Sequence, residues 1–548
     1  MVVAFASSTV LIGCASSTSP STRVPDWSLP TGELPLGPSG LAEHRASKKV
    51  RDGVTYYQIT RGQAATTDFW TVTVAFVKNE AVARSAAAAM NALGYQVRFD
   101  SAGLAPDGSQ LGYNLSVGQY PTRADAQAAA TAISAATKKV YVPTVRNTAV
   151  DGSQKSTGPW LVNITAIAPS YKGNLQNIIA GGTASNVGGI LGLGGETPQS
   201  TAARIGGIVG VNAGYWSTNV NAAGAQLKGP AGTYVSNGNL EGMATTGEAG
   251  VAFTQVNGHP TVTFLSNLSS VVTVANSQGA SAPINGINSA ILGQHFSCGS
   301  QGGTPSAARA HDYTCLNYDD LVLYDGNFAG GKTSGVMVDP AYKGAIFEVV
   351  VDATGKVLSG STTLGAPAPT GGYVLQGLGG SVTWLQQNAP IGATLSVKKQ
   401  LLAGTNPVPL KPGMSVAAAG PELVPAANVI QRSEAEGWSP KLGAVDRSKF
   451  YYAFINMRNA RTMIGVVPDG TILLVETDGK QPELSIGTSM KETAALMEWM
   501  GATSAINLDG GGSSAMIVDG VNVSHPSDNV PANPTQRAVA SSIVLTGS

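Results

Sequence analysis

The sequence predicts an α+β protein in two folded parts, a small βαββαβ module followed by a large β-rich α+β domain. Three observations predict it. Between residues 70 and 145, strand-like alternation and alanine-rich helical stretches follow one another in the order β-α-β-β-α-β. From 250 to 440, short alternating runs such as TVTFLSN, AIFEVVVD and GATLSVKKQLL lie between Gly/Pro turns. The 548 residues include 68 glycines with no triplet period, which points to many tight turns.

The totals bound the function. A chain of this length exceeds one ordinary core and calls for two or three domains. Charged residues are 12% and the formal net charge is zero, so no basic field for nucleic acid exists. Residues 1–24 look like an export signal, a short apolar stretch followed by small polar residues. Within it Leu11-Ile12-Gly13-Cys14 resembles a bacterial lipobox, which makes Cys14 a lipidation candidate and implies a lipid anchor to a membrane. Cys298 and Cys315 are close enough in sequence to close a short loop and are the disulfide candidate, with two free thiols as the alternative. The expected location is therefore secreted or cell-envelope.

Taken in order, residues 25–68 read as a linker, Ser/Thr/Pro/Gly-rich at first and then polar without a clear period. Residues 69–147 form the small module. WTVTVAFV (70–77) alternates as a strand. Residues 79–94 read as a helix closed by Gly94. YQVRFD (95–100) and LGYNLSVGQY (111–120) are strands. Residues 121–137 read as a helix opened by Pro121, and KVYVPTV (139–145) as the last strand. Residues 148–159 read as a second linker, and 160–548 as the large domain.

The module resembles the SPOR domain family. The resemblance rests on Val72-Thr73-Val74-Ala75-Phe76, on Tyr113 to Tyr120 (YNLSVGQY) and on Thr122-Arg123-Ala124-Asp125-Ala126, and it spans some 75 residues. It implies binding to the glycan strands of peptidoglycan.

The stretch AINLDGGGSSAM (505–516) carries the chemistry. Ser489-Met490-Lys491-Glu492 fits a capping box that opens a helix ending at Gly501. Ala505–Leu508 and Ala515–Val518 read as buried strands, and Asp519-Gly520 as a turn back toward Val521. Asp509 to Ser514 is then a loop inside a folded core. Gly510, Gly511 and Gly512 could present bare N–H groups to an anion, with Ser513 and Ser514 as hydroxyl donors and Asp509 as a base, nucleophile or anchor. The same residues would also serve a tight structural turn.

Asn507 to Ser514 (NLDGGGSS) resembles the signature of the phosphodiester glycosidase family. Other segments agree in order: Gly210 to Trp216 (GVNAGYW), Asn285 to Asn288 (NGIN), Asp320 to Tyr324 (DLVLY), Asn459 to Thr462 with Ile464-Gly465, Thr477-Asp478-Gly479 at the family's V-D-G-R step, and Arg537 to Ala540. Trp216, Ala460 and Ser541 depart from the usual Phe, Pro and Asn. The resemblance implies hydrolysis of a sugar-1-phosphodiester of the N-acetylglucosamine type, with phosphodiester-linked glycans as partners. It assigns Asp509, Arg461, Asp478 and Glu476 to catalysis. Asn212, Gly214, Asn507, Gly510, Gly511, Gly512, Ser513, Ser514, Thr462 and Arg537 are assigned to substrate binding. Arg461 would offer a planar fork to phosphate. Each has a structural alternative: Asp478-Gly479 as a turn pair, Arg461 paired with an acid, Asn212 capping a turn.

No cofactor is expected, and no metal. His259, His295, His311 and His525 are scattered without ligand spacing and read as structural or surface groups. Two other functions stay open: a non-catalytic glycan-binding envelope protein, and a glycosidase acting on a phosphate-free glycan.

Overall fold

A computed structural model describes residues 27–181, 195–220, 226–298, 310–528 and 535–547. The small module has β3 (Trp70–Val77), α1 (Glu80–Asn91), β4 (Val97–Ser101), β5 (Tyr113–Tyr120), α2 (Arg123–Ala136) and β6 (Thr144–Asn147). Its antiparallel sheet runs β4-β5-β3-β6. Asn79 and Thr122 cap the two helices with their side chains. Ala83, Ala87, Met90, Ala126, Ala130 and Ile133 then pack on Val72, Val74, Leu115 and Val117. Small side chains on the helices let them lie close to the sheet.

The last strand lies further along than the alternation in 139–145 predicts. Lys138 and Lys139 take positive φ, Val140 and Val142 are exposed, and Pro143 has no N–H for a ladder. Pairing with β3 starts only at Thr144.

Within the expected linker 25–68, the described residues 27–68 are folded into the large domain. β1 (Glu43–Arg51) and β2 (Val54–Arg61) form a hairpin, and β2 continues the ladder onto β7 (Trp160–Ile167). They are the outer strands of a six-stranded sheet that continues through Ile472–Thr477, Arg461–Val466 and Ser504–Asn507. The charged, exposed sequence EHRASKKVR suits an edge strand, where one side of the ladder meets water. Buried Arg61 fastens the preceding chain through Glu33, Glu43 and the Leu36 and Pro38 carbonyls.

The small module is therefore an insertion between two neighbouring strands of one sheet. Residues 148–159 are not a free linker either. Arg458 donates to the carbonyls of Ala149 (2.9 Å), Asp151 (3.0 Å) and Gln154 (2.8 Å) and pairs with Glu492.

A five-stranded sheet built from Val521–Asn522, Met516–Val518, Gly207–Asn212, Ser541–Gly547 and Gly173–Ile179 faces the six-stranded one. Ile167, Leu175, Val211, Ile464, Leu474, Ile506, Met516 and Ile543 fill the space between them. The helix Met490–Trp499 opens with the full Ser489/Glu492 capping box and covers the outer face of the six-stranded sheet. Residues 234–419 add an eight-stranded and a second five-stranded sheet around a separate core. The chain leaves one layer of the sandwich at Asn507 and enters the other at Met516, so the loop between crosses from sheet to sheet.

Candidate active site

Two buried asparagines bolt this crossing. Asn212 donates from Nδ2 to the Asp509 carbonyl at 2.6 Å. Its Oδ1 accepts from the Thr462 hydroxyl at 2.7 Å and the Ala515 amide at 3.1 Å. Both ends of the loop thus hang on one side chain. Asn507 donates to Tyr215 Oη at 2.8 Å and to the Gly420 and Leu508 carbonyls. Gly214 packs so closely that a Cβ there would lie 2.1 Å from the Ala418 carbonyl oxygen. Asn212, Asn507, Thr462 and Gly214 are thus positioning residues in the wall behind the loop. The side-chain polar atoms of Asn212 are bonded within the wall, whereas the Oδ1 of Asn507 has no hydrogen-bond partner among the described residues.

Asp509 lies at the mouth of the crossing. Its amide donates to the Ala213 carbonyl, and its Oδ1 accepts from the Gly510 amide at 2.8 Å. Burial pushes its carboxyl up to about 6, and the Ser513 hydroxyl, the Gly510 amide, the Arg537 charge and the Trp216 indole offset part of that effect. Ser513 also accepts from Arg537 Nη1 at 3.3 Å, while the buried Ser514 hydroxyl has no partner among the described residues. The Arg537 guanidinium is held on its other edge by both Asp528 oxygens at 2.6 Å. That carboxylate rests on the glycine loop: a Cβ at Gly512 would lie 2.0 Å from it. Glycine at 512 is required by this approach of an anion to bare backbone.

Arg461 does not present an open fork. It is 1% exposed, and its Nε and Nη2 donate to the carbonyls of Thr488, Phe454 and Met457. Burial lowers its pKa to about 10. It acts as a fixed positive charge beneath the site rather than as a bidentate clamp. Lys480 is the cation that sequence reasoning missed. The walls around its ammonium lower its pKa, and the charges of Arg461 and Arg537 push the same way while Asp528 opposes them. The available signal was positional: Lys480 stands where the family's V-D-G-R step carries its arginine.

Glu476 and Asp478 form a second cluster, and the structure does bring them together. Asn163 donates to Glu476 Oε2 at 2.8 Å, and the Asp478 side chain adjoins the same carboxyl. Burial and the neighbouring Asp478 carboxylate raise Glu476 well above the ordinary range. Asp478 Oδ1 accepts the His525 amide and its Oδ2 meets His525 Nδ1, both at 2.7 Å. That bond raises the imidazole, which is half exposed. His525 is thus a functional candidate, not a bland surface group. The contact spans 47 positions and left no local pattern. Among the described residues no hydrogen bond joins this cluster to the Asp509 loop. His295 pairs with Asp320, His259 bonds the Tyr171 carbonyl and His311 stacks on Trp438. Cys315 is disulfide-bonded; the Cys298 side chain and Cys14 lie outside the described residues.

The phosphodiester glycosidase model matches residues 345–546 and the SPOR domain model matches 66–144. N-acetylglucosamine-1-phosphodiester alpha-N-acetylglucosaminidase of Mus musculus is 35% identical over 80 residues, which are 15% of this chain and 15% of that protein. The chain thus spans only a small part of the curated relatives it matches. The crystal structure of a Burkholderia pseudomallei protein, described only as exported, superimposes with a TM-score of 0.89 at 43% identity, covering 95% of this chain and all of that one. A hypothetical protein from Synechocystis shares the fold alone, at a TM-score of 0.50 and 16% identity over 92% of this chain and 79% of that one. The chain thus carries a phosphodiester glycosidase domain over residues 345–546, which holds the signature loop seated between the two sheets, and a SPOR domain over 66–144 inserted beside it.

Proposed function

We propose that the chain is an exported cell-envelope hydrolase that cleaves the glycosidic bond of a sugar-1-phosphodiester, of the N-acetylglucosamine type, at linkages between wall polymers and peptidoglycan. In this reading Cys14 anchors it by lipid and the SPOR domain keeps it on glycan. One observation carries the proposal: the partly buried Asp509 carboxyl lies on a glycine loop whose Ser513 accepts from Arg537, and Lys480 faces the Arg537–Asp528 pair.

In the reaction the bond from the anomeric carbon to the phosphate oxygen breaks and water adds to that carbon. Asp509, ionised, takes the water's proton. The phosphate leaves with the bonding electron pair as a monoester, and Arg537 and Lys480 meet its added charge. A phosphate is a good leaving group, so no strong acid is needed on that side. The Ser513 and Ser514 hydroxyls line the same loop and are placed to orient phosphate or sugar oxygens.

The test uses N-acetylglucosamine α-linked through phosphate to a simple alcohol, incubated in ¹⁸O water, with Asp509→Asn as control. Label in the free sugar, absent with the variant, is the expected result. Label in the phosphate would mean P–O cleavage and would overturn the mechanism. An unchanged rate with Asp509→Asn would remove Asp509 from it.

A further inference from the structure

Between the SPOR domain and the large domain lies a cleft of about 430 Å³, lined from both sides. Its chemistry is uneven. The SPOR side supplies Trp70, Phe76, Asn114 and Arg123, and the large domain supplies Tyr452 and Lys449. Aromatic surface of this kind suits the apolar faces of sugar rings, with polar groups at the edges for hydroxyls. Arg123 and Lys449 pair with no carboxylate among the described residues, and the lining includes no acid. Asn114 is 3% exposed and its side chain meets the Tyr452 hydroxyl across the cleft, so both walls contribute to one polar edge.

The cleft also reaches residues that adjoin the glycine loop's partners: Lys480 and Ser527 are part of its lining. Lys480 feels the charges of Arg461, Arg537 and Asp528, and Ser527 adjoins the Asp528 that rests on Gly512. The walls are fixed. The SPOR domain enters and leaves through neighbouring strands of one sheet. Arg146 pairs with Asp100 at 2.6 Å and Asp151 at 3.1 Å, Asn456 donates to the Ala102 carbonyl, and Phe76 packs on Tyr452.

We propose that this cleft seats the glycan bearing the scissile phosphodiester, as an anionic saccharide chain, so that the SPOR domain forms a wall of the substrate site. The assignment of the phosphodiester end rests on the function proposed above; the saccharide seat itself rests on the cleft. On this view the domain does more than hold the enzyme on a wall. It presents one particular residue of a bound chain to Asp509.

The test uses the full chain with Arg123→Glu and Lys449→Glu, exposed positions on opposite walls, whose folding is checked by thermal denaturation. Binding of an oligosaccharide of alternating N-acetylglucosamine and N-acetylmuramic acid is followed by calorimetry. Each variant is expected to bind about tenfold more weakly, and Asp509→Asn to bind as the parent does. With substrates, kcat/KM should fall for a phosphodiester carried on that oligosaccharide and stay unchanged for the small alcohol diester. Saccharide binding that depends on both walls, without any hydrolysis, would sink the catalytic reading and leave the cleft assignment standing. Hydrolysis with saccharide affinity untouched by either variant would overturn the cleft assignment. So would equal binding of a neutral chitin oligosaccharide, or preferential binding of an acidic peptide or single-stranded DNA.

Discussion

Replacing Asp509 with asparagine should stabilise the protein while abolishing its activity. An aspartate titrates near 3.8 without its surroundings, and at this position near about 6. The sign follows from linkage. A raised value means that the native state binds the proton more tightly than the unfolded chain does. Stability therefore falls as pH rises from about 4 to about 6, and the loss persists above that range. Full burial would make the cost about 3 kcal/mol. The loop leaves Asp509 a solvent path, so about 2 kcal/mol is the working figure. Asparagine has the same shape and keeps an oxygen for the Gly510 amide, now 2.8 Å from Oδ1, but carries no charge. In urea denaturation Asp509→Asn is expected to exceed the parent by about 2 kcal/mol near pH 7.5, the two curves converging toward about pH 4 with equal m-values. A variant less stable than the parent near neutrality, or a difference independent of pH, would refute the reasoning. The same acidity governs the rate. If ionised Asp509 takes the water's proton, kcat/KM rises with pH along an acid limb centred near 6.

Asp528→Asn tests the anion seat on the glycine loop. Its pair with Arg537 is partly exposed, so the variant should lose less than about 1 kcal/mol, while freeing the guanidinium for an external anion. Inorganic phosphate should then inhibit at several-fold lower concentration, by about 1 kcal/mol or more of binding; weaker inhibition would remove Arg537 from phosphate recognition. For the second cluster, Glu476→Gln keeps the shape and the bond from Asn163 and supplies Asp478 with a permanent donor. Its stability should match or exceed that of the parent in thermal denaturation, whereas Glu476→Ala should lose about 3 kcal/mol by leaving Asn163 without its acceptor; a reversed order would exclude a raised Glu476.

Local periodicity made the SPOR domain, the helix opened by Ser489 and the Ala505–Leu508 strand legible in the sequence. Each is specified by residues a few positions apart. The hairpin of β1 and β2 was not legible, because an edge strand facing water on nearly every residue loses its alternation. At the site, the signature told which residues gather but not which way they face. Arg461 and Asn212 belong to it and are buried behind the loop, spent on carbonyls and on Thr462. Lys480, Asp528 and His525 reach the loop or the acid pair through contacts between distant segments, and no spacing encodes those.

The hairpin and the site are linked by a feature that costs stability. Gln58, Asn163, Glu476 and Thr462 stand opposite one another on four consecutive strands, forming a polar row across the interior of the six-stranded sheet. Gln58 and Tyr56 donate to Asn163, Asn163 donates to Glu476, and Thr462 at the other end donates to the Asn212 that holds the Asp509 carbonyl. Apolar side chains would pack such a row at lower cost, because each buried polar group must find a partner or lose free energy. A row of this composition gains instead a fixed register, since a slip of one residue would break every bond in it. The SPOR domain is inserted between the first two strands of that same row. Its placement over the cleft and the placement of Asp509 are therefore set by one ladder, and the glycan wall and the reacting carboxyl are held in a common frame.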